Sequence, residues 1–441
     1  MLFKNKNLFK IHNYFLLTSF IYIIFYIFIT PPFYSPDEYS HFQKSTSVEN
    51  VYLKGELNVD SSIKKFSDKF EAIAKNKWKI DRDYKYTLNF FLDNYETYSL
   101  TNKHEKANLS SLHNYPVSGY LISKVGTNFL EIFTNNVMIL FYGGRLFNCF
   151  AAVLIGYMTL KYLRSGKDFL FILLSMPMTL TLFGSFNQDV MLFIDTLIIL
   201  FLTNAITDPK KISAFKKEFF LILIIFFSFL LIVGRPTYIS FFILPLILIF
   251  KISEKKTMQY LILFIFLTIS MVFINDYSAT PTNPILLPRD LFLIIEILIN
   301  DAVVNFLKYI AMMIGALGRI DIIINYFLIF VFAVMLMTFF IINFNFLKIF
   351  SLIKITVFLI FFSTIFLTQI AQYIYFTEVG RIDYIQGVQG RYFIPIFFLL
   401  TLTLSNKNFL KINNNKYKNL FLWSLPHLNI IVLYQFYNFF Y

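Results

Sequence analysis

The chain has 441 residues, of which 57% are hydrophobic and 20% aromatic, and its mean hydropathy is +0.63. No water-soluble domain of this length needs so much apolar surface, so a globular soluble protein is excluded. The net charge of +13 does not mark a polyanion-binding surface: between Ser35 and Asn136 thirteen basic residues meet thirteen acidic ones, and the excess sits in short clusters between apolar runs. Nothing in that pattern points to nucleic acid. Cys149 is the sole cysteine, which excludes an internal disulfide and a cysteine-based metal site.

The basic clusters are Lys4/Lys6/Lys10, Lys161/Arg164/Lys167, Lys210/Lys211/Lys216/Lys217, Lys251/Lys255/Lys256, Lys348/Lys354 and Lys407/Lys411/Lys416/Lys418. The positive-inside rule places them in the cytoplasm. Apolar runs of about 20 residues cross a bilayer as helices, and the clusters set their directions. A first span over 14–32 leaves the cytoplasm. Thr30-Pro31-Pro32-Phe33 is too bulky for signal-peptide cleavage, so this span is expected to be retained. The long loop 33–136 is expected outside. Return and further spans are predicted at 137–160, 168–185, 189–206, 219–234, 237–252, 257–275, 322–344, 352–373, 391–406 and 419–440. The result is an all-α polytopic membrane protein with about eleven transmembrane helices (ten to thirteen) in a single membrane domain over 1–441. Its N-terminus is expected in the cytoplasm and its C-terminus outside, in the cell's inner (cytoplasmic) membrane. Residues 291–317 are apolar enough to span, but a span there would reverse Lys348 and Lys354. The segment 276–320 is therefore expected to be interfacial or re-entrant on the outer face. Within the loop, apolar spacing over 62–78 predicts an amphipathic helix on the membrane surface.

Seven basic residues lie outside the loop and the cytoplasmic clusters: Arg145, Arg235, Arg289, Lys308, Arg319, Arg381 and Arg391. Six are arginine in a chain that otherwise prefers lysine, and all map to the outer half of the membrane or its surface. The planar guanidinium suits bidentate phosphate or carboxylate binding, and near a bilayer it needs a partner or a task. Arg319 with Asp321, Arg289 with Asp290, and Arg381 with Asp383 or Glu378 can be local ion pairs. Arg145, Arg235 and Arg391 have no acid close in sequence and are the stronger candidates for an anionic ligand. After Gly143-Gly144, Arg145 has a second reading as a helix-to-helix anchor.

The segment Pro31 to Phe42 follows the first span. Pro36 can start a helix, which puts Asp37 and Glu38 in a first turn that favours carboxylates. His41, four residues after Asp37, shares its helix face. Asp37 and His41 can hold a divalent cation such as Mg or Mn, or Asp37 can take a proton from a nucleophile while His41 orients it. A solvated helix start is the bland alternative.

These residues resemble the acidic first-loop motif of the GT-C membrane glycosyltransferases, which use polyprenyl-phosphate-linked sugars. The closer resemblance is to a bacterial integral membrane family, DUF2142, placed near that superfamily. It is carried by Pro36-Asp37-Glu38 with His41-Phe42, by Pro177 with Ser185-Phe186-Asn187-Gln188-Asp189, and by Arg235-Pro236-Thr237-Tyr238. Gly315-Ala316-Leu317-Gly318 with Asp321 continues it, and Gly387-Val388-Gln389-Gly390-Arg391-Tyr392-Phe393-Ile394-Pro395 is its most specific block. An aromatic residue is usual in the family where Arg319 stands, so any role of Arg319 transfers less well. The resemblance implies a GT-C-like fold and a sugar transfer on the non-cytoplasmic face, in surface glycan or cell-envelope modification. Asp37 would be the base or metal-associated acid, Glu38 and His41 its support, and Asp189 a second acid. Arg391, with Gln389, Tyr392, Arg235, Arg145 and Arg319, would hold substrate phosphate. The implied partners are a polyprenyl-phosphate-linked sugar, a glycan, lipid or protein acceptor, and the bilayer. A transporter, flippase or polymerase of lipid-linked glycans shares the same topology and outer arginines. No Gly-rich phosphate loop for a nucleotide is present.

Overall fold

The computed structural model describes residues 10–47, 58–79, 98–107, 117–207, 214–252, 288–344, 351–378, 384–405 and 415–441, with single residues 259 and 267. The expected span 257–275, Arg381 and Asp383 lie outside these.

The described chain is almost entirely helical. Helix α1 (Ile11–Ile29) leads into the short α2 (Glu38–Ser45). A strand, β1 (Asn58–Asp60), pairs antiparallel with β2 (His104–Lys106) beside helix α3 (Ser61–Lys79). Then come α4 (Leu121–Glu131), α5 (Val137–Tyr162), α6 (Lys167–Leu174), α7 (Pro177–Phe183) and α8 (Asp189–Ile206). Helix α9 (Ala214–Gly234) is followed by a 3₁₀ segment (Pro236–Phe242) and α10 (Ile243–Ile252). Helices α11 (Pro288–Val304) and α12 (Phe306–Gly315) precede a small ladder of β3 (Ala316–Leu317) with β4 (Ile322–Ile323). The chain finishes with α13 (Tyr326–Asn343), α14 (Leu352–Phe376), α15 (Ile394–Leu400) and α16 (Asn415–Phe440).

Six described helices are long and apolar enough to cross a membrane: α1, α5, α8, α9, α13 and α14. The α11–α12 pair, bent by 58°, adds a seventh if it is one broken span. The described residues thus form an all-α membrane protein with six or seven candidate spans rather than the expected eleven, one of which (257–275) lies outside them. Part of the difference has a physical cause. Several continuous apolar runs fold as broken helices. The run 168–185 splits into α6 and α7 because Pro177 cannot continue the hydrogen-bond ladder. The freed carbonyls are satisfied in place: Thr179 Oγ1 donates to Leu173 O at 2.9 Å and Asn429 Nδ2 of α16 donates to Ser175 O at 3.0 Å. Broken helices inside a membrane need such internal partners. The runs at 237–252 and 391–406 likewise form 3₁₀ turns joined to short α-helices. The segment at 291–317 bends at Asn305, in keeping with a broken or re-entrant segment.

Many large apolar side chains stay exposed on the outward faces, including Leu17, Phe25, Phe28, Phe150, Phe330, Met337 and Phe362. A protein in lipid keeps such faces. Helix α3 forms as predicted, with Ile63, Phe66, Phe70 and Ala74 recurring on one face. That face is buried within the protein, against Phe33, Phe42, Phe141 and Phe186 among others, so it is not free to lie on a membrane surface. The last part of the 33–136 loop also departs from a purely solvent-side reading. Helix α4 lies along α5, with Leu130 over Gly143 and Phe147 over Gly126, and exposes Leu121, Val125, Phe129, Ile132 and Phe133.

The bundle is tied at the end of α1 by Arg145. Its Nε donates to Glu38 Oε1 at 2.8 Å and its Nη2 to Glu38 Oε2 at 2.6 Å. Its Nη1 donates to Ile27 O and Thr30 O at 2.9 and 2.8 Å, and Nη2 donates also to Pro31 O at 3.2 Å. Phe141 lies under the guanidinium, 4.4 Å from Cζ to ring centre. Both side chains of this ion pair are fully buried. All five guanidinium donors are used, so Arg145 holds α1, α2 and α5 together rather than a ligand phosphate. These contacts are those of a helix-to-helix anchor. Removing one member of such a pair strands a buried charge. Arg145→Ala is therefore expected to lower stability by about 3–5 kcal/mol, read as loss of folded protein in detergent. The double variant Arg145→Met/Glu38→Leu is expected to recover part of it.

Candidate functional site

Next to this tie, four charged side chains form an alternating row. Asp37 occupies the position before α2 in a left-handed conformation, φ 57°, which aspartate tolerates better than most residues. Its carboxylate does not cap α2. It turns instead to Arg391, whose Nη2 lies 3.3 Å away. Arg391 Nε lies 3.3 Å from Asp189 Oδ2, and Asp189 Oδ1 accepts from Arg235 Nη2 at 2.8 Å. Arg235 stacks on the Tyr392 ring, 4.2 Å from Cζ to its centre, and the Tyr238 hydroxyl donates to Tyr392 O at 2.6 Å. Asp189 and Arg391 are buried, whereas the Asp37 side chain is 58% exposed. Arg391 Nη1 is buried with no hydrogen-bond partner among the described residues.

Each member is placed by backbone contacts. Phe186 N donates to Glu38 Oε1 at 3.0 Å, Asn187 Nδ2 to Pro36 O at 3.2 Å, and Asp189 N to Asn187 Oδ1 at 2.9 Å. The Ser185–Asp189 segment therefore clasps the start of α2. On the other side, Asp301 is fully buried and accepts from Asn305 Nδ2, Tyr309 Oη, Gln369 Nε2 and the backbone N of Ile385, at 2.8, 2.6, 3.1 and 3.1 Å. It fixes the start of the loop that carries Arg391. Gly387 there has φ +81°, a conformation open to glycine. Gly390 lies so close to Tyr309 O and Met313 N that a Cβ would strike the α12 backbone.

Beside the row opens a cleft of about 460 Å³, lined by Asp37, Tyr39, Ser40, Glu71, Lys75, Arg319, Ile320 and Gln389 among others. Arg319 pairs with Glu71 of α3 and donates to Phe33 O at 3.2 and 3.1 Å, so its partner is not Asp321. Asp321 accepts instead from the Tyr34 hydroxyl at 2.8 Å.

A family model described as a predicted membrane protein (DUF2142) matches residues 20–400. The chain belongs to the DUF2142 family. Searches of curated proteins and of solved structures found no match. In this DUF2142 protein the blocks that carry the resemblance, scattered from residue 36 to 395 in sequence, meet in one place. Asp37, Asp189, Arg235, Arg391 and Tyr392 share the row, and Gln389 and Arg319 line the adjoining cleft.

Three expected site residues take other tasks. Glu38 and Arg145 are consumed by each other and by backbone groups. His41 is buried, and its Nδ1 shares a 2.7 Å hydrogen bond with the Tyr120 hydroxyl rather than orienting Asp37. Burial lowers its pKa to about 4, against an upward pull from Asp37. Burial likewise lowers Lys44, on the same helix, to about 7. Burial also pushes the Asp37 carboxyl up, but the Arg391 guanidinium, His41 and Arg319 together hold it below its ordinary value. A resident divalent cation does not fit these donors. Asp37 already faces a guanidinium, His41 is bonded to Tyr120, and no cluster of three or more His, Cys, Asp or Glu side chains exists among the described residues. No chemical step is routed through a metal.

Sequence reasoning missed Glu71, Tyr120 and the anchoring of Asp301. No local signal marks them, because each acts on a residue far away in the chain.

The His41 shift has a measurable consequence. Its folded pKa lies below the ordinary 6.5, so between pH 6.5 and 4 the unfolded chain binds a proton that the folded chain does not. The stabilisation is complete above pH 6.5 and declines as pH falls toward 4. Thermal unfolding in detergent across that window is expected to show a shallower loss for His41→Gln than for the unsubstituted protein. Equal slopes would contradict the assignment.

Proposed function

We propose that this DUF2142 protein is a glycosyltransferase that moves a sugar from a polyprenyl-phosphate donor to an acceptor hydroxyl on the non-cytoplasmic face of the membrane. One observation carries the reading. A buried guanidinium, Arg391, keeps a donor nitrogen without a partner beside a half-exposed carboxylate, Asp37, at the edge of a polar cleft. A buried cation with spare donors suits an anion, and its planar fork suits phosphate.

In this scheme the donor phosphate binds Arg391 Nη1, with Arg235 behind it. The acceptor oxygen attacks the anomeric carbon from the opposite side. The bond from that carbon to the phosphate oxygen breaks, and the electron pair leaves with the polyprenyl phosphate. Charge developing on the leaving group is met by the fixed guanidinium groups. Asp37 accepts the acceptor hydroxyl's proton. In the free protein its low pKa keeps it ionised. Once the phosphate engages Arg391, the guanidinium is shared and the carboxylate becomes a stronger base. Asp189 holds Arg391 and Arg235 in place. In-line attack inverts the anomeric centre.

A transporter would place its polar groups near mid-membrane. In α8, Asp195 is buried with Oδ1 unpartnered among the described residues, but the charged row gathers at a helix end. The reading therefore stays with transfer.

Purified protein in detergent, given a polyprenyl-phosphate sugar and an acceptor, is expected to consume the donor without a membrane gradient. Asp37→Asn and Arg391→Ala are each expected to lower the rate by about 10²–10³-fold with folding retained. Donor turnover unchanged in both variants would eliminate the scheme.

A further inference from the structure

We infer that the cleft between α3 and the turn at 318–321 is the acceptor's seat, and that the acceptor is a neutral saccharide chain rich in hydroxyls. The inference rests on the transferase reading and adds the class of its second substrate.

The charges of the cleft compensate one another. Glu71 pairs with Arg319 and, at 3.1 Å, with Lys75, while Asp37 pairs with Arg391. A ligand entering from the water side therefore meets little net field and finds mostly hydrogen-bonding groups. Among those groups stand acceptors that a hydroxyl donor can serve. Gln389 Oε1, in the cleft lining, is buried with no partner among the described residues, and the Asp37 and Glu71 carboxylates can only accept. A buried carbonyl oxygen left without a donor is costly. A phosphate or carboxylate ligand brings no donor to such a site, whereas each sugar hydroxyl brings one.

The backbone around the cleft is also held in an unusual state. Ile320, in the cleft wall, has φ 71°, and Asp37 has φ 57°. A β-branched residue in the left-handed region is strained, and such strain gathers where a surface is shaped for a ligand. Arg319 ties the wall to α3 through Glu71. A hydroxyl of the seated saccharide then reaches Asp37 and gives it a proton as its oxygen bonds to the donor's anomeric carbon. The phosphate leaves on the Arg391 side.

The test uses the full chain in detergent, with neutral hexose and N-acetylhexosamine oligomers as one probe set. A glycerol-phosphate polymer is the anionic probe, and polyprenyl phosphate is the donor-side probe. Binding is read by saturation-transfer NMR. Neutral oligomers are expected to bind. Gln389→Ala is expected to weaken them by about tenfold. Because Lys75 is 63% exposed and Cys149 is buried, Lys75→Cys offers one reactive thiol at the mouth. A bulky maleimide there is expected to abolish oligomer binding and to spare polyprenyl phosphate. Tighter binding of the glycerol-phosphate polymer, or oligomer binding untouched by the label, would overturn the saccharide inference. Arg391-dependent binding of polyprenyl phosphate without any oligomer binding would overturn it too, yet leave the transferase reading standing. Failure of polyprenyl phosphate to bind would remove both.

Discussion

A guanidinium in an apolar bundle must have its donors satisfied, and that requirement shapes this molecule twice. At Arg145 it is met completely. Glu38 and three backbone carbonyls at the end of α1 take every donor, and the buried pair fixes where α2 starts. At Arg391 it is met only in part, Nη1 remaining with neither an ion-pair nor a hydrogen-bond partner among the described residues. The first arrangement is structural closure. The second is an offer to a ligand, and it exists because the first holds Asp37 in position five residues after Pro32, where the span ends.

The link between the two is short. Glu38 enters the tie and Asp37, its neighbour, points the other way into the row with Arg391. A left-handed Asp37 is the price of that divergence. Asp189, itself held through Asn187 and Pro36, spaces the two arginines so that the row alternates in sign. A charge row of this kind is costly to assemble in an apolar surround unless each member is paired. It is supported from behind by Asp301, which is held by Asn305, Tyr309 and Gln369 and accepts from the Ile385 backbone at the start of the loop that delivers Arg391.

How much of this was legible in the sequence differs by element. The apolar runs gave α1, α5, α8, α13 and α14 within a few residues, and the scarcity of arginine elsewhere singled out Arg235 and Arg391. The breaks at Ser175-Met176 and Asn305 were not legible, because hydropathy stays high across them and the partners that satisfy the freed carbonyls come from elsewhere, as Asn429 does. The fate of Arg145 was open for the same reason. Its partner stands 107 residues away. Arg319 looked paired to Asp321 by proximity, yet Glu71, 248 residues away, takes it. Periodicity predicted α3 but could not say whether lipid or protein would cover its apolar face, and the aromatic cluster of Phe33, Phe42, Phe141 and Phe186 does so.

The proposed transfer requires the Asp37–Arg391 pair to face the non-cytoplasmic water. The most direct measurement is labelling of an Asp37→Cys variant in intact cells with a membrane-impermeant maleimide, the buried Cys149 giving no background. Labelling before permeabilisation is the predicted result. A thiol that reacts only after the membrane is opened would place the site on the cytoplasmic side and contradict the proposed sidedness.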